Sequence, residues 1–248
     1  MLVISSPVAR VIGSLRVTIR RVFTLMNRVV FLIDGFNLYH SVLEAYNLLG
    51  MRVKWLDLHS FCRSYIFLFG KDATLAGIYY FSAYAYHLND SSVIKRHEAY
   101  IECLKSTGVV PDMGRFKARE TKCPLSKQMQ APNSGINCPL RGRFVRHDEK
   151  ETDVAIAVKL CDLVFKNECD TAVLITGDTD LAPAVKLCNK RFPDKTILFS
   201  FPYHRYNAEL EALAPKSFSI GAQSYARHQF PKQVHLNNGK IIEKPPSW

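Results

Sequence analysis

The feature that most constrains this chain is a series of short, unbroken apolar runs, each followed by a helical pattern. Residues 28–33 run apolar into Asp34-Gly35, and residues 171–176 run into Gly177-Asp178; 76–83 and 195–201 have the same character. A run without polar alternation is what a strand buried on both faces requires. Helical spacing fills the stretches 36–49, 56–69, 90–107, 150–167, 180–191 and, more briefly, 208–214, several of them closed by glycine at 50, 70 and 108. A shorter strand is expected at 109–111, leading to Gly114. Strands alternating with helices of this length predict an α/β fold: a mainly parallel sheet with helices on both faces. In such sheets ligands bind beyond the carboxyl ends of the strands, where Asp34 and Thr176-Gly177-Asp178 fall.

The chain of 248 residues is 48% hydrophobic, enough for a substantial core. Its formal charge is +11, from 33 Lys+Arg against 22 Asp+Glu, which favours polyanionic partners. Four of those charges (Arg10, Arg16, Arg20, Arg21) lie in an acid-free opening segment. Met26 stands directly before the first apolar run, so residues 1–26 read as a poorly ordered leader or a misplaced start. The main domain is expected at 27–222 and a polar tail at 223–248, which ends near Pro245-Pro246. No apolar run reaches the length of a membrane span and no secretory cleavage signal is visible. With several of its seven cysteines inside apolar periodic stretches, a reducing, cytoplasmic setting is expected. Oligomeric state is left open, a homo-oligomer included.

Each acid at a strand or helix mouth has an ordinary explanation. Asp34 fits the N-cap of the helix that follows, with Asn37 one turn later. Asp178 and Asp180 crowd one strand-to-helix junction, where capping satisfies one of them and a cation would relieve the other. Asp153 lies early in an apolar helix behind Lys150, where a negative charge suits the helix dipole. Together, acids at the mouths of three elements of one sheet form a more specific signal than any one alone.

Three blocks, taken in order, resemble the NYN domain, the LabA-like branch of the PIN-like nuclease fold. They are Phe31-Leu32-Ile33-Asp34-Gly35-Phe36-Asn37-Leu38, Lys150-Glu151-Thr152-Asp153-Val154-Ala155 and Ile175-Thr176-Gly177-Asp178-Thr179-Asp180. The resemblance covers roughly residues 28–201. It implies that Asp34, Asp153 and Asp178 hold Mg²⁺ or Mn²⁺ and carry catalysis, with Asn37, Thr176, Asp180 and Lys150 in support. It further implies a hydrolase of RNA phosphodiester bonds. The chemistry is consistent, because a carboxylate-held divalent ion lowers the pKa of a water and neutralises charge on a phosphate.

Residues 115–146 interrupt the pattern with prolines, glycines and many cations, forming a basic insertion before the Asp153 helix. Arg115, Lys117, Arg119, Arg141, Arg143 and Arg146 are candidates for binding a phosphate backbone; a solvated charged face is the plain alternative. Cys123-Pro124-Leu125 and Cys138-Pro139-Leu140, with His147 nearby, leave too few ligands for a closed zinc site, so free thiols are expected. Two other functions remain open. One is an NADH-dependent monooxygenase acting on a small anionic pyridine, since a hydroxylase of 6-hydroxy-3-succinoylpyridine also resembles NYN proteins; no glycine-rich dinucleotide cradle follows any strand here. The other is a non-catalytic, RNA-associated regulatory module.

Overall fold

A computed structural model describes residues 26–88, 90–122 and 143–248. The opening segment up to residue 25 lies outside the described residues, and so do Cys123, Cys138 and Arg141. The first strand, β1 (Asn27–Asp34), leads without a loop into α1 (Gly35–Leu49). After α2 (Leu58–Arg63) come β2 (Ala73–Ala83), α3 (Ser91–Ser106), β3 (Val110–Lys122) and β4 (Arg143–Lys150). The second half adds α4 (Thr152–Phe165), β5 (Thr171–Ile175), α5 (Ala182–Arg191), β6 (Thr196–Phe201), α6 (Ala208–Leu213) and β7 (Phe218–Ser219). The chain closes with α7 (Ala222–Arg227), β8 (Gln233–His235) and β9 (Ile241–Glu243).

Seven strands make one sheet in the order β4-β3-β2-β1-β5-β6-β7. All pairings are parallel except β3 with β4. The expected mainly parallel sheet with helices on both faces is therefore the observed one. Strand order reverses beside β1, since β2 pairs on one side of it and β5 on the other. That is the switch point at which such sheets leave a crevice.

The unbroken apolar character of β1 follows from its position. Val29, Phe31 and Ile33 enter one core, with Leu38, Val42, Trp55, Phe61 and Tyr100. Val30 and Leu32 enter the other, with Ile156, Leu160 and Val185. Each helix turns one stripe inward: Leu38, Ser41, Val42 and Ala45 are buried in α1, spaced as a helix of 3.6 residues per turn demands. At the amino end of the sheet, Asp170 accepts hydrogen bonds from the Arg28 backbone N–H at 3.0 Å, from Arg28 Nε at 2.9 Å and from Lys195 Nζ at 2.9 Å. These bonds hold its carboxyl well below the usual carboxylate range. The amino edge is thus tied by charge pairs, and the carboxyl edge is left for a site.

Three expectations need correction. The helix expected at 56–69 breaks into α2 and a 3-10 turn, Ile66–Phe69. Ser64 Oγ donates to the Phe61 carbonyl at 2.7 Å, a back-bond that competes with helix propagation. The short strand expected to stop at Gly114 continues to Lys122, and the two ends of the irregular insertion pair as β3 and β4, the latter taking Lys150, the first residue expected in the Asp153 helix. A ribbon with charged residues along it has no apolar alternation for a sequence reading to detect. The third concerns residues 223–248, expected to be a polar tail. They fold back onto the α1–α3 layer, with Tyr225, Phe230, Val234 and Ile242 in the core and the Trp248 ring 5.8 Å from that of Trp55. Their apolar residues are isolated, because each short element buries only one or two.

Among the described residues, Cys62, Cys103, Cys161, Cys169 and Cys188 are free thiols. No helix among them is long and apolar enough to cross a membrane.

Candidate functional site

The period-2 alternation of β1 decides where Asp34 points. Val30 and Leu32 face α4, so Asp34 at the strand's last position faces it as well. Asp34 caps α1: its Oδ1 accepts the Asn37 backbone N–H at 2.9 Å, the contact capping anticipates. Its Oδ2 accepts the Thr176 hydroxyl at 2.9 Å, which capping does not require. Burial pushes the Asp34 carboxyl up; the hydrogen bonds from Asn37 and Thr176 oppose this, and the charge of Asp178 adds to it. Only 5% of Asp34 is exposed.

Thr176 joins the two strand ends. It donates to Asp34 and accepts the Asp178 backbone N–H at 3.1 Å. Asn37 completes the link, because its Oδ1 accepts the Gly177 N–H at 3.1 Å. Asp178 caps the next turn by accepting the Asp180 N–H at 3.0 Å. Asn37 and Thr176 both tie the β1–α1 junction to the loop after β5. Close backbone packing holds the junction. A Cβ on Gly35 would stand 2.5 Å from the Phe81 carbonyl oxygen, and one on Gly177 would meet the Arg205 carbonyl.

Asp153 occupies the first turn of α4. Burial, then the charges of Asp178, Asp34, Glu149 and Asp180, raise its carboxyl to about 6. Asp34, Asp153 and Asp178 are thus brought together, with Asp180 close enough to be felt. Glu149 belongs to the same group and was not among the acids the sequence singled out. Its Oε1 accepts both the hydroxyl and the backbone N–H of Thr152. Glu151 enters α4 with φ at 82°, a left-handed conformation that costs a side-chain-bearing residue energy. Among the described residues, no three His, Cys, Asp or Glu side chains stand close enough to cage a metal ion by themselves.

Of the candidate cations, Arg115, Lys117, Arg119, Arg143 and Arg146 lie on the two strands of the hairpin. Arg115, Lys117 and Arg119 alternate along β3, so their side chains share one face. In register, Arg115 stands opposite Lys150, Lys117 opposite Asp148 and Arg119 opposite Arg146; Arg143 opens β4 opposite Lys122. Arg115 pairs with Glu151 at 2.6 Å and Arg146 with Asp148 at 2.7 Å, both arginines being exposed. Lys150 lines a shallow groove with Arg119, Arg146, His40 and Phe36 and also with Asp148 and Glu149, so it stands where the basic surface meets the carboxylate set. The hairpin root packs through aromatic rings. Phe36 meets Phe116 edge-on at 5.5 Å, and His87 stacks on His147 at 4.5 Å.

Acids that feel one another's charge at the switch point, with a basic hairpin in the same sheet, suit a PIN-like α/β protein. A family model described as NYN domain matches residues 28–220, and the chain belongs to that family. Membership places it in a nuclease superfamily, with nucleic acid as the substrate class. A solved structure of a protein of unknown function from Vibrio parahaemolyticus is similar over 80% of this chain and 95% of its own, at 15% identity and a TM-score of 0.48. No curated protein matches the chain.

Proposed function

We propose that this chain is a Mg²⁺- or Mn²⁺-dependent ribonuclease that hydrolyses RNA phosphodiester bonds at the carboxyl edge of β1 and β5. The observation that carries this reading is the gathering of Asp34, Asp153, Asp178, Asp180 and Glu149 at that edge, where the charges acting most on Asp153 are all negative. Such a set destabilises itself unless a cation is shared among its members. The donor chemistry suits a hard divalent ion. Magnesium keeps several waters and takes one or two carboxylates directly, so a closed cage of three is not required. When bound, the ion supplies a water of lowered pKa and neutralises charge on the phosphate.

The chain's own residues supply position. Asp34 would hold the ion from the strand end, its orientation set by the Asn37 N–H and the Thr176 hydroxyl. Asp178 and Asp153 approach from the neighbouring loop and from α4. The hairpin cations would meet the polymer backbone. Arg119 stands directly opposite Arg146, which already pairs with Asp148, so a phosphate would meet two guanidinium groups on one face of the ribbon.

The test is cleavage of single-stranded RNA by the full chain with Mn²⁺ or Mg²⁺, against Asp34→Asn and Asp178→Asn. Both changes are near-isosteric, and the amide introduced by Asp34→Asn still offers a capping oxygen to the Asn37 N–H. The expected result is metal-dependent cleavage, lost in both variants. Cleavage that survives both, or absent cleavage with NADH oxidation driven by a hydroxypyridine, would overturn the assignment.

A further inference from the structure

On the α1 side of the same carboxyl edge lies a cleft of ≈ 350 Å³, within the range of small-ligand sites. The nuclease reading makes no use of it. Its walls come from α1, α3 and the end of β2, and they include Phe36, Tyr39, Tyr100 and Trp248. Lys54 and Arg96 line it, and among the described residues no acidic side chain does. Tyr39 is 45% exposed, and Lys54 Nζ sits 5.6 Å from its ring centroid, so an aromatic face and a cation stand together. Ser82 and His97 add polar groups; burial lowers the His97 imidazole to about 4, leaving it neutral with one donor and one acceptor nitrogen.

Two observations tie the cleft to the acidic centre. Gly35, the residue after Asp34, lines it, and Tyr80 Oη lies 2.8 Å from where a Cβ on Gly35 would stand. Phe36 lines both this cleft and the basic groove on the hairpin. A cleft for a free metabolite has no need of a wall shared with a groove lined by Arg119, Arg146 and Lys150, whereas a polymer that alternates flat bases with phosphates would use both.

We propose that this cleft seats one nucleobase of a single-stranded RNA whose backbone crosses the acidic edge, the base stacking on Tyr39 while Lys54 and Arg96 meet adjacent phosphates. The identity of the polymer rests on the nuclease reading; the existence of a base-binding cleft is tested separately. Stacking of one base on an aromatic side chain corresponds to about tenfold in affinity.

The experiment measures anisotropy of a labelled RNA hexamer, and of an abasic hexamer of equal charge, binding the full chain in EDTA. The base-bearing strand should bind about tenfold tighter. Tyr39→Ala should remove that difference and leave the abasic strand unaffected, and Lys54→Ala should weaken the base-bearing strand. Arg119→Ala should weaken both strands by one common factor. Equal binding of the two strands, failure of both to bind, or a Tyr39→Ala effect shared by both would overturn the proposal. So would benzoate, a planar carboxylate probe, if it occupied the cleft at lower concentration than uridine monophosphate. Metal is absent throughout, which separates the two readings: base discrimination kept in a chain that cleaves nothing supports the cleft and counts against the nuclease. Discrimination lost in a chain that cleaves RNA counts against the cleft alone.

Discussion

Replacing Asp153 with asparagine should stabilise the metal-free chain while abolishing its proposed activity. The Asp153 carboxyl stands at about 6 instead of the ordinary 3.8, through burial and through four neighbouring acids. At about 1.36 kcal/mol per pKa unit, that difference is worth about 3 kcal/mol of destabilisation when the group is ionised. The side chain is partly exposed, and solvent screening reduces this to about 1–2 kcal/mol. An opposing contribution is the favourable charge in the first turn of α4, about 0.5 kcal/mol, which asparagine would forfeit. The penalty from burial and repulsion together is larger, so the variant should gain about 1 kcal/mol, or about 2–4 °C in melting temperature for a chain of this size.

The pH dependence identifies the cause. A carboxyl whose folded value is raised carries no penalty below the unfolded value of 3.8 and the full penalty above about 6. The advantage of Asp153→Asn should therefore be absent near pH 4 and complete by pH 7.5. Added Mn²⁺ should reverse the order, because only the wild-type chain gains binding free energy in proportion to ln(1 + [L]/Kd). The assay is urea or thermal unfolding in EDTA at pH 4, 6 and 7.5, repeated with metal. A variant less stable than wild type at pH 7.5 in EDTA, or a gain independent of pH, would refute the reasoning.

Thr176→Val should cost about 1–3 kcal/mol in urea unfolding, because it strips Asp34 of a buried donor and leaves the Asp178 N–H without its acceptor. Glu151→Gly should raise the melting temperature: relief of the left-handed backbone is worth about 1 kcal/mol, and the ion pair lost with Arg115 is exposed and worth less. His97 stays neutral in the fold down to about 4, so the unfolded chain binds its proton first as pH falls below 6.5. Its contribution is present above 6.5 and lost progressively towards 4, a loss of up to about 3 kcal/mol before screening. His97→Leu should flatten the stability profile across that window in unfolding measured at stepped pH.

The carboxylate centre was legible because its residues sit at element mouths, where local signals are strongest. Asp34 and Asp178 follow apolar runs directly, and Asp153 opens a helix of clear period. Glu149 was not legible, since it reaches the site from the end of a strand whose partner lies far back in the sequence. The basic residues were visible as composition, but their alternation on a hairpin face was not. An exposed ribbon carries no buried stripe, so its period leaves no mark in hydrophobicity. The final residues show the same limit: Trp248 reads as an isolated aromatic until it meets Trp55 and Tyr100, which lie far away in sequence.

By itself, the sequence determined the α/β class, the parallel character of the sheet and the three principal acids, because each depends on local periodicity and on what terminates it. Tertiary structure alone decided that Asp34 and Thr176 share a hydrogen bond across 142 residues, that Glu149 joins the acidic group, and that an aromatic cleft shares Phe36 with the basic groove. Those contacts come from strand order and register, which follow from the packing of both cores together rather than from any one segment.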